Sequence, residues 1–572
     1  MMLRLEARAL VVFSFAILVL SPYLYAQTTN KEQIRQFEQQ LQPPREAGLP
    51  MAPTPNIDFR IISPEKTAVP KAVDEVTFQI DQVEFEGLQF LTKEQAIKPF
   101  NDLLGKKINL SALRDAAQSL EDIYRSKGYF LVRVFIPPQK LTAGSFKVRV
   151  VEGFVDQVYV EGPNDSINEL VKRYTSHLGN IQPLDLASLE RALLLINDIP
   201  GIACVAVLRP GAALGASELL LTVQGQTNSD NINFNNTASR VLGPNALTYS
   251  GVFQQPFNSL GQIGLSVTAA GLFETGLAAV RSSTARYSQA LGDRGLLGSL
   301  SLTLSKSLPS DYLSSLDLVS NAIVLSPKLR YPLQRGQTSS IFLESGLTLT
   351  KSETTIATIP LTLDQTAVHG ESLSWVLNGW GSGTQILTAG VAQGIHGFGA
   401  MGRDDSRASV SGYDPYFLKY TWNFNRIQNL PSAMSLRINA MGQNTKDKLL
   451  SGEQIIFGAS TIGRAFTPAL IASDNGVGTL LELRRDLVSE PGSQFSNKQI
   501  YISTDWAQAK TLPISSSTSE IDSALHSNAI GIRFAVDNKY QFDLRLTSTN
   551  QDIDTNDPHR TRRVFVEFNA PF

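Results

Sequence analysis

The sequence closes on Arg562-Arg563-Val564-Phe565-Val566-Glu567-Phe568-Asn569-Ala570-Pro571-Phe572, and this run sets the class of fold that we expect. Every second residue from Val564 to Phe572 is apolar, which is the two-residue period of a β-strand with one apolar face. Alternation that runs into an aromatic C-terminal residue is typical of the closing strand of an outer-membrane β-barrel. We therefore predict that Phe572 ends a membrane strand.

The same period continues through residues 227–572, where helical spacing disappears and short alternating runs are separated by loops rich in Gly, Ser, Asn and Asp. At about 21 residues per strand with its turn or loop, this region holds roughly 16 antiparallel strands. A lipid-facing barrel would put apolar residues outside and charges in a wet lumen, whereas a soluble β-sandwich would reverse this sense with the same period. Two runs separate the faces cleanly: Met434, Leu436, Ile438 and Ala440 against Ser435, Arg437 and Asn439, and Tyr540, Phe542, Leu544 and Leu546 against Gln541, Asp543, Arg545 and Thr547.

The N-terminus predicts export. Arg4 and Arg8 precede an apolar stretch at residues 9–20, and Ala26 is followed by polar residues, which is the pattern of a signal peptide covering residues 1–26. A single membrane anchor is the alternative, but the apolar stretch is shorter than the roughly 20 residues that span a bilayer. The signal, the number of strands and Phe572 together favour a membrane barrel over a sandwich.

The composition argues against other classes. The net charge of −2 offers no basic surface for nucleic acid, so we expect no nucleic-acid partner. Hydrophobic residues make up 42% of the chain, and no later uninterrupted apolar run reaches the length of a transmembrane helix. The one cysteine, Cys204, lies in an apolar run and is expected to be a small core residue.

Residues 27–74 predict a short helix and a linker. In residues 27–42 a thin apolar stripe at helical spacing consists of Ile34, Phe37 and Leu41, and prolines stop the pattern. Residues 43–74 are rich in proline and show no sustained period, so we expect an extended linker.

Residues 75–153 and 154–226 predict two copies of one β-α-α-β-β unit. In the first copy we expect strands at 78–85, 129–136 and 145–151 and helices at 92–104 and 111–127. In the second we expect strands at 155–160, 203–208 and 217–224 and helices at 166–176 and 187–196. A single unrelated α+β domain is the alternative, but the matching order and the strand-end glycines Gly87 and Gly162 favour a repeat.

These repeats carry a family resemblance. The runs at 128–139 (GYFLVRVFIPPQ), 147–153 (KVRVVEG) and 189–201 (LERALLLINDIPG) resemble the two POTRA domains of two-partner secretion transporters of the TpsB type, the haemolysin secretion/activation family. The resemblance implies a membrane β-barrel of about 16 antiparallel strands, preceded by two small α+β POTRA domains and an N-terminal helix. It places the barrel in the bacterial outer membrane, in contact with its lipid, and the POTRA domains in the periplasm.

The run at 457–466 (FGASTIGRAF) resembles the tip of the long sixth extracellular loop of this family, which we place at about 444–476. The family tip is usually Val-Arg-Gly-Phe or Val-Arg-Gly-Tyr. Here Arg464 and Phe466 are kept, but the glycine, Gly463, precedes the arginine and Ala465 follows it. The freedom of a glycine after the arginine is therefore lost.

The resemblance implies that this loop folds back into the barrel and that Arg464 pairs with an aspartate on the wall, which here should be Asp505. Alternation in the run at 499–506 independently places Asp505 on the lumen face. An Arg–carboxylate pair kept from bulk water would be a directional latch, and the alternative is an ordinary wall charge and an ordinary loop arginine. Five alternating segments follow the loop, as the family requires, near Val477, Gln499, Ala529, Tyr540 and Arg562.

The function that the resemblance implies is a pore that secretes one dedicated large exoprotein, of adhesin, haemolysin or toxin type, to the cell surface without nucleotide hydrolysis. Residues 27–42 would plug the barrel and leave it on the linker, and the barrel-assembly machinery would read Phe572. The client would bind POTRA strand edges by strand addition.

Other functions remain to be compared. An outer-membrane assembly factor would normally carry more POTRA copies, and a passive porin would not need the repeats. For a hydrolase, the five histidines fall in unrelated contexts, and no metal-binding His-Glu-x-x-His, Gly-x-Ser-x-Gly elbow or phosphate-binding loop is present. We therefore assign no catalytic, cofactor-binding or metal-binding residues, and we expect no cofactor and no enzyme activity.

Overall fold

The computed structural model describes residues 59–61, 77–139, 144–238, 242–256, 261–271, 279–309, 317–459, 462–490, 492–513, 519–551 and 561–572. The predicted signal peptide and the predicted plug helix, with Ile34, Phe37 and Leu41, lie outside these residues, as does nearly all of the linker. The described residues form two small α+β domains followed by a closed barrel. No helix among them is long and apolar enough to cross a bilayer.

The predicted linker contains one strand, β1 (Phe59–Ile61). It pairs in parallel with the edge of the second domain, where Phe59 lies opposite Ala206 and Ile61 opposite Leu208. At these three residues the extended backbone forms a strand, because an open sheet edge offers backbone hydrogen bonds to any extended segment.

The first domain follows the predicted order, with shorter elements. Helix α1 (Lys93–Ala96) is capped by Thr92 and gives way to a 3₁₀ segment (Lys98–Leu103), since Pro99 cannot supply an amide donor. Helix α2 (Leu110–Ser126) packs its apolar face on the sheet. The strands are β2 (Thr77–Gln79), β3 (Gln82–Glu86), β4 (Lys107–Asn109), β5 (Arg133–Phe135) and β6 (Ser145–Val151), with sheet orders β2-β4 and β3-β6-β5.

The second domain matches the prediction to within about two residues at each element. Helices α3 (Asp165–Thr175) and α4 (Leu186–Asn197) cover a sheet of β7 (Phe154–Glu161), β8 (Ile202–Pro210) and β9 (Ala216–Gly225), in the order β1-β8-β9-β7. Cys204 is 6% exposed within this core, as expected of a small hydrophobe. Burial raises the pKa of its thiol to about 12.

Sixteen antiparallel strands form the barrel, which confirms the predicted class and strand number, and the first strand pairs with the last to close it. The five strands after the sixth loop are the five that the sequence predicted. The barrel strands are β10 (Ser229–Asn235), β11 (Ala246–Gln254), β12 (Gly261–Ala270), β13 (Val280–Leu291), β14 (Leu296–Ser307), β15 (Leu318–Arg335), β16 (Ser339–Ile356), β17 (Ile359–Trp380), β18 (Gly383–Gly394), β19 (Leu418–Leu430), β20 (Met434–Thr445), β23 (Asn475–Asp486), β24 (Phe495–Thr511), β25 (Ile521–Val536), β26 (Tyr540–Ser548) and β27 (Arg562–Pro571), and the hairpin β21 (Ile455–Phe457) and β22 (Ile471–Ser473) lies within the sixth loop.

The two faces of the barrel wall have opposite chemistry. On β14 the outward residues Leu300, Leu302 and Leu304 are exposed, whereas Ser301 and Thr303 point inward. The faces predicted for the runs at 434–440 and 540–547 are the ones observed. The residues predicted to point inward are paired in register with other lumen residues. An apolar exterior suits lipid, and the polar interior makes a wet lumen.

The second domain is docked on the periplasmic end of the barrel. Asp198, after the end of α4, receives two hydrogen bonds from Arg335 at the end of β15, of 2.7 Å from Nε and 2.8 Å from Nη2. Arg191 of α4 donates to the carbonyl of Pro332. Both side chains of the ion pair are nearly buried, so the contact fixes the direction in which the domain leaves the barrel.

Candidate functional site

The loop between β20 and β23, residues 446–474, lies inside the barrel. Its small hairpin contributes to an apolar cluster with the walls of β23, β24 and β25. Phe457 and Phe466 from the loop are each 1% exposed, and they pack with wall residues Leu480, Ala507 and Leu525. Burial of this apolar surface gives the loop a fixed position against one side of the wall.

The tip of the loop is held through its backbone. Asp505 of β24 accepts hydrogen bonds from the amides of Gly463, at 2.8 Å, and Arg464, at 3.3 Å, and from the hydroxyl of Ser527, at 2.6 Å. Asp505 is 1% exposed and lies on the lumen face, as its parity predicted. A carboxylate that receives two consecutive amides fixes the direction of the chain at the tip.

We predicted that the Arg464 side chain would pair with Asp505, but in the structure it pairs with a different carboxylate. The guanidinium of Arg464 donates instead to Glu482 of β23, and more weakly to Ser503 at 3.4 Å. Glu482 and Ser503 are opposite each other in register, and Asp505 lies two residues further along the same face. The long arginine side chain therefore reaches the next lumen position, while its own amide uses Asp505.

Glu482 is the centre of a buried ionic network. It is fully buried and also accepts from Arg484, at 2.6 Å, and from both terminal nitrogens of Arg533, at 2.9 and 3.2 Å. Arg533 also donates to Asp543 at 2.8 Å and stacks over the ring of Tyr501, with its guanidinium carbon 3.9 Å from the centroid. One loop arginine is thus tied into a network that spans β23 to β26.

Gly463 explains how the altered tip sequence is accommodated. Its φ of +89° is left-handed, and a Cβ there would lie 3.0 Å from the Cα of Gly458 and 3.1 Å from Leu525. The tip therefore needs a glycine before the arginine, where its chain turns under the apolar cluster. Ala465, after the arginine, is fully buried and donates its amide to Ser527.

The two ends of the loop are joined by Asp474. This fully buried carboxylate pairs with Lys448 at 3.2 Å and accepts from the amide of Leu449 at 2.9 Å. It also accepts from Gln454 and from the amide of Leu512, at the start of the next extracellular loop. The base of the sixth loop is therefore tied to its neighbour as well as to itself.

The barrel seam is closed between β10 and β27. Phe572 follows β27, is 56% exposed, and donates its amide to the carbonyl of Asp230. On the lumen side, amide side chains of β10 bond across the seam, with Asn231 to Asn569 at 3.2 Å and Asn233 to Glu567 at 3.1 Å. At the extracellular end, Arg563 donates to the carbonyl of Phe466 at 3.2 Å.

Sequence reasoning found Arg464, Phe466 and Asp505, and the structure brings all three together. It missed Glu482, Arg533 and Ser527 as their partners, although the alternation that placed Asp505 inside also places each of these inside. The described residues hold no cluster of His, Cys, Asp and Glu suited to a metal ion.

A closed antiparallel barrel of sixteen strands, with POTRA-type domains at its N-terminal end and a long loop folded into a polar lumen, defines an outer-membrane protein with POTRA domains. The family model described as haemolysin secretion/activation protein ShlB/FhaC/HecB matches residues 215–534, more than half of the chain, and the ShlB-type POTRA model matches residues 78–153. The chain belongs to this haemolysin secretion/activation family, which confirms the resemblance of its motifs.

Individual relatives are distant. The heme/hemopexin transporter protein HuxB of Haemophilus influenzae strain 86-028NP is 26% identical over 152 residues, which cover 26% of this chain and 27% of that protein. The outer membrane transporter CdiB of Escherichia coli is 25% identical over 235 residues, 39% of this chain and 38% of that protein. The matched segments thus span only about a quarter to two fifths of these relatives.

Solved structures share the fold of most of the chain. CdiB from Escherichia coli superposes with a TM-score of 0.70 at 17% identity, covering 96% of this chain and all of that one. BamA from Haemophilus ducreyi, lacking POTRA domains 1–3, reaches a TM-score of 0.52 at 11% identity over 86% of this chain.

Proposed function

We propose that this protein is an outer-membrane pore that exports one dedicated exoprotein from the periplasm to the cell surface. The observation that carries the proposal is the lumen: the tip of the sixth loop is packed against β23–β25, and a cavity of about 370 Å³ remains between the base of the loop and the wall formed by β14–β19. Family membership supports the same reading.

The path through the molecule supports translocation along the barrel axis. The POTRA domains stand at the periplasmic end, and the Asp198–Arg335 pair fixes the second one beside the entrance. An unfolded client exposes unpaired backbone groups, which sheet edges of the POTRA domains can bind without reading much sequence. No nucleotide-binding motif is present in the sequence, so folding of the client outside the cell would prevent its return.

The finer expectations belong to this proposal. Residues 27–42 close the lumen as a plug in the resting protein, and the client is a large secreted protein of adhesin, haemolysin or toxin type. Arg464, Phe466 and Asp505 act as the latch that keeps the sixth loop inside, with Glu482 as the carboxylate that the Arg464 side chain uses. Phe572 is the signal that the barrel-assembly machinery reads.

Two experiments test the proposal. In cross-linked cells, one large exported protein should co-purify with this chain; recovery of many outer-membrane barrels would mean an assembly factor, and recovery of no protein would mean a porin. Deletion of residues 27–42 should raise the single-channel conductance in planar bilayers, and an unchanged conductance would rule out the plug.

A further inference from the structure

The outer face of β17, β18 and β19 carries three of the four tryptophans of the chain. Trp375 and Trp380 lie on β17, Trp422 lies on β19, and all three are exposed. We call the surface formed by these three residues and the outward residues between them the tryptophan face. Tryptophan is enriched where membrane proteins meet the lipid headgroups, so this face marks a boundary of the bilayer.

The register of the three strands shows where the apolar part of this face begins and ends. At its extracellular edge, His369 of β17 lies opposite Gln393 of β18, and Glu371 follows two residues later. At its periplasmic edge, Gln385 of β18 lies opposite Arg426 of β19. The outward residues between these edges are apolar or aromatic: Leu373, Trp375, Leu387, Ala389, Val391, Tyr420, Trp422 and Phe424.

The height of this apolar stretch fits a bilayer. The eight residues from Gln385 to Gln393 rise about 27 Å along the strand. At a strand tilt of about 40° this is roughly 21 Å along the barrel axis, close to the lipid-facing band of about 25 Å in such barrels. β15 and β19 run toward the same end, where Arg335 contacts the second POTRA domain. Arg426 therefore lies at the level of the lipid headgroups of the periplasmic leaflet.

Neutral groups hold the Arg426 side chain in place. Its guanidinium donates to the side-chain oxygen of Gln385 at 2.8 Å and to that of Gln428. The guanidinium carbon lies 4.7 Å from the centroid of the Trp380 ring. Gln428 in turn donates to the carbonyl of Gly381, in the turn between β17 and β18. The side chain is thus ordered before any ligand arrives, which lowers the cost of binding.

The charge of Arg426 has no carboxylate partner among the described residues, where no Asp or Glu oxygen lies within 4.0 Å of its guanidinium nitrogens. A guanidinium carries five N–H donors, and the bonds to Gln385, to Gln428 and, at 3.4 Å, to the carbonyl of Trp380 use three of them. At least two donors remain for an anion. A cation that faces lipid is costly unless it reaches the headgroup region and a counter-charge.

We propose that Arg426 and Trp380 form a binding site for the phosphate group of a phospholipid in the periplasmic leaflet. The remaining guanidinium donors bind the phosphate oxygens, a geometry to which arginine is well suited. The ring of Trp380 covers one face of the guanidinium and keeps water from it. The acyl chains lie along Leu387 and Phe424, one row further into the bilayer.

A protein partner is the rival occupant, because tryptophan and arginine are also frequent in the centres of protein interfaces. The neighbouring strands favour lipid. The apolar rows continue from Leu373 onto Leu343 of β16 and from Phe424 onto Ala440 of β20, both on the outer face of the barrel. The tryptophan face is therefore continuous with the lipid-facing wall. The proposal concerns this outer face alone and does not depend on export through the lumen.

The test measures phospholipid binding to the full-length protein in detergent by native mass spectrometry. The probe is dioleoyl phosphatidylglycerol, titrated until the first bound lipid saturates. We expect Arg426→Gln to raise the dissociation constant of this lipid about tenfold or more, because a charged hydrogen bond to phosphate is lost. Arg426→Lys keeps the charge but loses the planar stack on Trp380, so its dissociation constant should lie between those of the wild type and Arg426→Gln.

Arg485→Gln is the matched control. Arg485 also faces outward at the periplasmic end, from β23 opposite Ile500, but the described residues give its guanidinium no ring contact and no hydrogen bond. Its variant should bind the lipid as the wild type does. An unchanged dissociation constant in Arg426→Gln, or an equal rise in Arg485→Gln, would overturn the proposal.

Two further measurements separate the phospholipid from other occupants. Glycerol phosphate in large excess should not displace the lipid, because it lacks the acyl chains that contact Leu387 and Phe424; displacement would mean a site for soluble phosphate. A benzophenone attached to Leu387→Cys in intact cells should capture phospholipid on illumination. Capture of one protein in its place would assign the tryptophan face to a protein partner and overturn the proposal. Heat-modifiable migration on gels checks that each variant is a folded barrel.

Discussion

Replacing Glu482 with glutamine should release the sixth loop more effectively than replacing the loop's own arginine. Glu482 is fully buried and is shared by Arg464, Arg484 and Arg533. In Glu482→Gln the three guanidinium groups face one another without their common anion, and breaking a buried ion pair from one side costs about 3–5 kcal/mol. In Arg464→Lys the carboxylate keeps Arg484 and Arg533, so the cost is near that of one charged hydrogen bond, about 1.5–3 kcal/mol.

Trypsin reports the opening directly, because its target is Arg464 itself. The residue is 3% exposed in the folded loop, so cleavage after it requires the tip to leave the cluster. Where opening is fast, the cleavage rate follows the population of the open form, and about 3 kcal/mol raises it by about 100-fold. Arg464→Lys keeps the cleavage site and serves as the matched comparison.

The same digestion contains its own reference. Arg403 and Arg407 lie in the preceding extracellular loop with side chains 61% and 56% exposed, so cleavage there should proceed equally in all variants. Mass spectrometry then gives the ratio of cleavage at Arg464 to cleavage at the reference sites. Equal ratios in Glu482→Gln and wild type, or a larger increase in Arg464→Lys, would refute the assignment of Glu482 as the centre of the network.

Three further predictions test other parts of the molecule. Asp505→Ala leaves two buried tip amides without their acceptor and should raise trypsin cleavage at Arg464 by about tenfold or more, whereas Asp505→Asn keeps one acceptor oxygen and should do less; the reverse order would contradict the capping role. Arg335→Met removes both hydrogen bonds to Asp198 and should widen the distribution of distances between spin labels on the second POTRA domain and the barrel. An unchanged distribution would contradict the role of this ion pair in fixing the domain. Burial raises the pKa of the Cys204 thiol from about 9 to about 12, so the thiol ionises first in the unfolded chain. Its contribution to the free energy of unfolding is therefore lost as pH rises from about 9 to about 12. Native Cys204 should resist thiol reagents at pH 8 and react with them on unfolding.

The alternation of side chains made most of the barrel predictable. A period of two fixes which residues share a face, and hydrophobic exteriors fix which face is outside, so Tyr501, Ser503 and Asp505 were placed in the lumen from sequence. The number of strands followed from the length of residues 227–572 at about 21 residues per strand with its turn or loop. The short strand at Phe59–Ile61 carried no such signal, because three residues are too few to show a period and its partner lies about 145 residues away.

The identity of the carboxylate that accepts from the Arg464 side chain could not come from the same pattern. Glu482 and Asp505 both face the lumen from adjacent strands, and Asp505 lies two residues from the position opposite Glu482. Parity allows either carboxylate to meet Arg464, and only the three-dimensional path of the loop decides which one accepts the side chain. The glycine at 463 was similarly visible as a departure from the family tip, but its left-handed φ against Gly458 emerges only from the folded loop.

The seam joins these observations into one argument about how the barrel opens. β10 and β27 pair over only five residues, so backbone bonds alone would leave this the weakest junction of the wall. Asn231 and Asn233 add side-chain bonds across it, and Arg563 connects the extracellular end of β27 to both the Phe466 carbonyl of the loop tip and the Ala238 carbonyl after β10. Opening the seam sideways would therefore also break the contact between β27 and the tip of the sixth loop.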